Sequence, residues 1–127
     1  MWNLASDYGP ANREELLERL KESREVNVTV TGRKTKRRFS TPVWFVLDGG
    51  RVAIVPTKGS DNDWFRNLVQ NPTIELSVGG ISAPFNATIV RDPKQVEMII
   101  DKLRVKYRSM WSEAYYTKRD VYVQVPV

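Results

Sequence analysis

Two glycine pairs limit most strongly what this chain can fold into. Asp48-Gly49-Gly50 separates the alternating run Phe39, Thr41, Val43, Phe45, Leu47 from Arg51–Pro56, and Gly79-Gly80 separates Thr73–Val78 from Ser82–Val90. Asp and Gly tolerate the positive φ of tight hairpin turns, and apolar residues at period two on either side are the mark of half-buried strands. The chain is thereby committed to antiparallel hairpins. Val26, Val28 and Val30 alternate with polar partners up to Gly32 and add a strand. Val121, Val123, Val125 and Val127 add a last one.

Helical signals fall between these runs. Asn12 with Glu15 three residues on is a capping-box pattern, and Leu16, Leu17 and Leu20 give a stripe, so the reading is a short helix over Arg13–Ser23. Ser60 with Asp63 predicts another start, followed by Trp64, Phe65, Leu68 and Val69 until Asn71-Pro72 stops it. Asp92-Pro93 opens the longest helix, with Val96, Ile99, Leu103, Tyr107, Met110, Trp111 and Ala114 along one face. The expected class is mainly β with helices: an antiparallel split β-barrel with an N-terminal helix, a short inserted helix and one long helix before the last strand. At 127 residues, without linker or repeat, the whole of 1–127 reads as a single domain.

The sequence contains neither His nor Cys. That excludes disulfides, thiolate or imidazole metal sites, and the Ser-His-Asp and Cys-His nucleophile arrangements. An enzyme built this way must work with Ser, Thr, Tyr, Lys, Arg or carboxylates, or with a cofactor that brings its own reactive atom. No apolar run approaches the ~20 residues of a membrane span and no secretory signal is visible, so a cytoplasmic location is expected.

The formal charge is +5, and its placement is informative: Arg33, Lys34, Lys36, Arg37 and Arg38 lie between Thr31 and Arg38 with no acid among them. The remaining chain is balanced. Guanidinium, ammonium and hydroxyl donors behind a turn glycine suit a phosphate, although a solvated basic turn is an equally good reading of the run. An extended nucleic-acid track is disfavoured, because the aromatics Trp44, Phe45, Trp64, Phe65, Tyr107 and Trp111 fall on core positions and do not interleave with the basic run. A second segment, Val55-Pro56-Thr57-Lys58-Gly59-Ser60, joins a strand end to a helix start, where free N–H groups favour an anion, although taken alone it reads as an ordinary strand-to-helix connection. Tyr115 and Tyr116 form a pair near the end of the long helix.

Thr31-Gly-Arg-Lys-Thr35, Ser40-Thr-Pro-Val-Trp-Phe-Val46, Asp48-Gly-Gly-Arg-Val52, Thr57-Lys-Gly-Ser60, Trp64-Phe-Arg-Asn-Leu68 and Gln70-Asn-Pro72, in this order and spacing, resemble the split β-barrel flavin and deazaflavin reductases. The deazaflavin-dependent nitroreductases and quinone reductases are the nearest branch, and the pyridoxamine-phosphate-oxidase-like FMN proteins are related. The resemblance implies F420 (deazaflavin) or FMN as cofactor. It places Arg33, Lys34 and Thr35, with Arg37 and Arg38, on the phosphate-bearing tail; Thr41, Pro42 and Val43 along the ring; Val55, Pro56, Thr57, Lys58 and Gly59 beside it; and Trp64 and Asn67 closing the site. Tyr115 and Tyr116 match the side that meets substrate. The extra Lys36 and Arg38 suit a long polyglutamate tail and put deazaflavin ahead of FMN. The implied activity is hydride transfer to a small apolar, electron-poor acceptor such as a quinone or nitro compound, in a protein that is often a homodimer. The other classes kept open are an FMN- or heme-binding module without turnover and a nucleic-acid-binding barrel.

Overall fold

The structure is a computed structural model that describes residues 10–127, with side chains from Arg13 onward. The proposed cap at Asn12 lies outside the described side chains. Helix α1 (Pro10–Glu22) leads into β1 (Val26–Thr31), followed by β2 (Arg38–Val43), β3 (Val46–Asp48) and β4 (Arg51–Ile54). After a 3-10 turn at Gly59–Asp61 come α2 (Asp63–Gln70), β5 (Thr73–Val78), β6 (Ile81–Asn86), β7 (Thr88–Val90), α3 (Pro93–Lys106) and β8 (Tyr122–Pro126). Both glycine pairs form the expected hairpin turns with positive φ, Gly49 and Gly50 between β3 and β4, Gly79 and Gly80 between β5 and β6.

The strands form two four-stranded antiparallel sheets, ordered β2-β1-β5-β6 and β3-β4-β8-β7. Two runs that read as single strands are each broken, and the breaks carry the chain from one sheet to the other. The first break falls at Trp44–Phe45. There the Phe45 N–H donates to the Tyr107 hydroxyl at 3.1 Å instead of joining a strand ladder. The second falls at Ala87, whose N–H donates to the Pro72 carbonyl at 2.9 Å. Strands passing between two sheets in this way make the split barrel. Pro42 and Pro84 sit in the outer strands β2 and β6, where a missing N–H is tolerated.

The barrel interior is filled by Val26, Val28, Val30, Phe45, Val52, Ile54, Ile74, Leu76, Val123 and Val125, with Leu16 and Leu20 of α1 and Phe65 and Leu68 of α2 packed in. Burying each Val, Leu, Ile or Phe contributes about 1.5–3 kcal/mol, so the register that keeps these residues inward is strongly specified. A second cluster lies under α3, where Val96, Ile99, Ile100, Leu103 and Tyr107 cover Val46, Ala53, Val55, Tyr116 and Tyr122.

Helix α3 begins as its sequence indicates: Asp92 accepts from the Lys94 N–H at 3.1 Å and Pro93 follows it. It ends at Lys106, eight residues before Ala114, and Met110 is exposed rather than packed. Tyr107 is the residue at this C-terminal cap, and its side chain anchors the chain there. It is fully buried, and its hydroxyl proton is shared between the carbonyls of Arg24 at 2.6 Å and Phe45 at 3.0 Å. The chain then folds back so that Tyr115 stacks on Trp44 and Tyr116 enters the second cluster, positions a straight helix would not reach. Among the described residues no helix is long and apolar enough to cross a membrane.

Candidate cofactor site

The turn after β1 is compact. The Gly32 N–H donates to the Arg37 carbonyl at 2.6 Å, the Lys36 N–H donates back to the Gly32 carbonyl at 3.1 Å, and Lys36 takes a φ of 63° to close the turn. Gly32 is required for space: a Cβ there would lie 2.6 Å from the Phe39 ring and 3.2 Å from the Arg37 carbonyl oxygen. Phe39 pairs with Val30, and Thr41 with Val28, so both belong to the inward-facing row of β2. Phe39 is nevertheless 47% exposed. The barrel opens at that point.

The opening is a cleft of about 490 Å³ lined by Gly32, Arg33, Lys34, Thr35, Phe39, Ser40 and Thr41 on one side and Asn62, Asp63, Trp64 and Asn67 on the other. Six of the residues singled out in the sequence therefore meet here: Arg33, Lys34, Thr35, Thr41, Trp64 and Asn67. Asn67 is the one buried polar residue among the described core positions. Its Oδ1 accepts from the Arg33 backbone N–H at 3.1 Å and from the Arg33 Nη1 at 2.7 Å. Arg33 Nη2 also approaches the Asp63 carboxylate at 3.6 Å. Lys34 makes no hydrogen bond or ion pair among the described residues, which leaves its ammonium available to an anion.

Other residues singled out in the sequence lie elsewhere. Arg37 is exposed outside the cleft, and Arg38 pairs with Glu75 beside a separate polar depression lined by Thr29, Thr31, Asn71, Thr73 and Pro84. Pro42 is exposed, Val43 packs toward the barrel interior, and Val55 and Pro56 are buried. Thr57 and Lys58 reach the cleft indirectly, because Asn62 Oδ1 accepts from the Thr57 hydroxyl at 3.3 Å and the Lys58 N–H at 2.8 Å.

The expected free donors after Gly59 are already taken. Asp120 accepts from the Ser60 N–H at 3.0 Å and from the Ser60 hydroxyl at 2.5 Å, so the anion at this turn is the chain's own carboxylate. Burial works against ionisation of Asp120, but the two Ser60 hydrogen bonds outweigh it and hold the carboxyl below its usual range. Ser60 consequently does not cap α2, whose preceding residue is Asn62.

The tyrosine pair divides. Tyr116 is 3% exposed and its hydroxyl is pushed well up by burial, whereas Tyr115 is 44% exposed. Tyr115 caps a run of rings: Tyr107 and Trp44 stack with centroids 4.2 Å apart, Trp44 and Tyr115 at 4.7 Å, and Tyr116 meets Tyr115 edge-on at 5.0 Å. Sequence reasoning passed over Phe39, Ser40, Asn62 and Asp63 as lining residues. The signal for the last two was their position directly before Trp64.

A split barrel with a cationic, partly aromatic cleft at its mouth defines the structural class. The sequence profile of the F420H(2)-dependent quinone reductase family matches residues 9–127, and the chain belongs to that family. An F420H(2)-dependent quinone reductase of Mycobacterium tuberculosis is 38% identical over 52 residues, a stretch covering 39% of this chain and 35% of that protein. Among solved structures, an F420-H2 dependent reductase superposes with a TM-score of 0.59 at 22% identity, covering 80% of this chain and 93% of the other. A protein described as a domain-swapped dimer superposes with a TM-score of 0.62 at 25% identity, covering 92% and 99%.

Proposed function

We propose that the chain, acting in the cytoplasm as one split-barrel unit over 1–127, is an F420-dependent reductase of quinones or similar electron-poor acceptors, with the cofactor held in the cleft between the Gly32–Thr35 turn and α2. The observation that carries this reading is the convergence of Arg33, Lys34, Thr35, Thr41, Trp64 and Asn67 on one cleft in a chain of this family.

The donor set suits the group. Arg33 and Lys34 offer charged donors and Thr35 a hydroxyl to a phosphate-bearing tail, while Phe39 and Trp64 give a planar ring apolar walls. Asn67 aims Arg33, so the guanidinium does not have to be ordered on binding. Arg37 stands at the rim, and Arg38 serves the tail only by releasing Glu75. Along the ring, Thr41 contributes its hydroxyl, Pro42 and Val43 fix the β2 edge, and Val55, Pro56 and Gly59 form the packed support that holds Thr57 and Lys58 in place. Tyr115, presented on the Trp44 stack and steadied by Tyr116, is the residue set to meet the acceptor. The bound reduced deazaflavin supplies the hydride; the protein supplies orientation. A homodimer is the proposed assembly, supported by the similar structure described as a swapped dimer.

Titration of F420 fluorescence with the protein, followed by oxidation of F420H2 in the presence of menadione, tests the reading. Saturable binding with acceptor-dependent oxidation supports it. Binding of FMN in place of F420 shifts the cofactor, and binding of neither removes the proposal.

A further inference from the structure

On the flank of the molecule, sharing no residue with the cofactor cleft, lies a larger groove of about 660 Å³. Its walls are Leu20 and Lys21 from the end of α1, Val46 and Leu47 of β3, and Met98, Asp101, Lys102, Val105 and Lys106 of α3. The surface inside is mainly apolar, and two of its side chains are conspicuously open for their type: Met98 is 44% exposed and Val105 70%. Apolar pockets of several hundred Å³ with a few placed polar groups are the usual form of small-molecule sites.

The charges around the groove decide what it can take. Lys21 is paired with Glu18 at 3.0 Å, Lys102 with Asp48 at 2.7 Å, and Asp101 with Arg104. Lys106 differs. Its Nζ donates to the neutral Phe45 carbonyl at 2.8 Å and lies 3.5 Å from the centre of the Phe45 ring, yet it meets no carboxylate among the described residues. Arg24, close enough to act on it, adds a like charge. A half-buried ammonium whose partners are a carbonyl dipole and two ring faces, Phe45 and, at 5.1 Å, Tyr107, has no opposite charge beside it and is incompletely compensated. An anionic headgroup is the missing element, and the apolar wall beside it asks for a hydrocarbon tail.

We propose that this groove binds an amphiphilic monocarboxylate, with its headgroup on Lys106 and its chain along Leu20, Val46, Met98 and Val105. The complementarity is specific in sign. A long-chain alcohol would gain the wall but lose the ion pair, and a short carboxylate such as acetate would gain the ion pair but lose the wall. Since the groove and the cofactor cleft are separate, occupancy here is read by binding alone and does not depend on the reductase reading.

Dodecanoate, kept below its micelle concentration, is titrated into the isotopically labelled protein and followed by amide chemical shifts and calorimetry, with dodecanol and acetate in parallel. The expected result is saturable binding of dodecanoate with shifts confined to residues 20–24, 45–48 and 98–106. Lys106→Met, which keeps the stem and removes the charge, should weaken dodecanoate about tenfold or more, a loss of about 1.4 kcal/mol. Lys94→Met, also on α3 but outside the groove, should not. Equal affinity for dodecanol, unchanged affinity in the Lys106→Met protein, or shifts centred on the cofactor cleft would each overturn the proposal. So would a concentration-dependent dimer that Val105→Asp dissociates and dodecanoate leaves intact, because the groove would then belong to a second copy of the chain.

Discussion

Arg33 is held to Asn67 by two hydrogen bonds to the same oxygen, one from its backbone N–H at 3.1 Å and one from its guanidinium at 2.7 Å. This joins the basic turn after β1 to α2 across the mouth of the barrel. The turn itself is short and its remaining side chains are exposed, so its position relative to α2 rests on this contact and the weaker approach to Asp63. A cationic wall fixed before the ligand arrives loses less freedom on binding than a mobile one.

Asn67→Ala should therefore affect both stability and cofactor affinity. Removing the acceptor leaves the part-buried Arg33 backbone N–H unpaired and its guanidinium with only the longer contacts to Asp63, at a cost of about 1–3 kcal/mol in urea unfolding. F420 affinity measured by fluorescence should fall in the same variant. An unchanged affinity would mean that the turn is positioned by other contacts.

Arg33→Ala and Arg38→Ala should separate, although both belong to one basic run. Arg33 lines the cleft, and losing a charged hydrogen bond there costs about 1.5–3 kcal/mol of F420 binding. Arg38 is engaged with Glu75 at another depression, so its removal should leave the affinity within about twofold, under 0.5 kcal/mol. Equal losses in the two variants would show that Arg38 leaves Glu75 when the tail binds.

Much of this arrangement was legible in the sequence, for identifiable reasons. Period-two alternation and the two glycine pairs defined the hairpins, because a one-residue slip would turn Val26, Val28 and Val30 outward. The charge sum located the turn that carries Arg33 and Lys34. The breaks at Phe45 and Ala87 were hidden, since each depends on a backbone partner distant in the chain, Tyr107 in one case and Pro72 in the other. The end of α3 was hidden too: Tyr107, Trp111 and Ala114 keep helical spacing even though the chain turns back after Lys106. The separation of Arg38 from Arg33 follows from strand pairing, which sets Arg38 opposite Thr31 and within reach of Glu75.

Stability should pass through a maximum near pH 10. Burial, with Arg24 nearby, pushes the Lys106 ammonium down from 10.5 to about 8, and burial pushes the Tyr107 hydroxyl up from 10.0 to about 12. Between pH 8 and 10.5 the unfolded chain holds a Lys106 proton that the native state has shed, so stability rises with pH. Between pH 10 and 12 the native state keeps a Tyr107 proton that the unfolded chain loses, so stability falls, and buried Tyr116 and Tyr122 act in the same direction. Urea midpoints taken at steps from pH 7 to 11.5 check this. Lys106→Met should flatten the rise and Tyr107→Phe should reduce the fall. A steady decline from pH 8 would show that Lys106 stays charged in the fold.

Glu113→Gln should loosen one loop and spare the rest. The Glu113 carboxylate accepts from Arg104 Nε and Nη2 at 2.8 and 2.9 Å, from Arg119 at 3.1 Å, and from the Trp111 indole, which together hold its pKa down to about 2, Arg104 contributing most. The contribution is present above pH 4.5 and is lost as pH falls toward 2. Because the group is exposed and its charge is screened by solvent, the urea midpoint at pH 7 should move little. Limited proteolysis between residues 108 and 120 should quicken clearly. No change in that rate would place the ordering of the Tyr115 loop on the Trp44 stack alone.

Gly59 and Asp120 form the tightest joint near the site, and their variants should fail in a defined order. Gly59 has a φ of 56°, and a Cβ there would lie 2.3 Å from Asp120 Oδ1 and 2.8 Å from the Lys118 carbonyl oxygen. The carbonyl belongs to the backbone and cannot swing aside. Gly59→Ala thus combines left-handed backbone strain with a displaced loop and should cost well over ~1–3 kcal/mol, the range for strain alone. Asp120→Asn keeps one acceptor oxygen for the two Ser60 donors and should cost about 1–2 kcal/mol. Both changes move the turn that carries Thr57 and Lys58, so F420 affinity should drop in the same order as the urea midpoints. If Gly59→Ala is the milder of the two, the chain must relax around residue 59, and Asp120 then holds the turn through charge rather than through close fit.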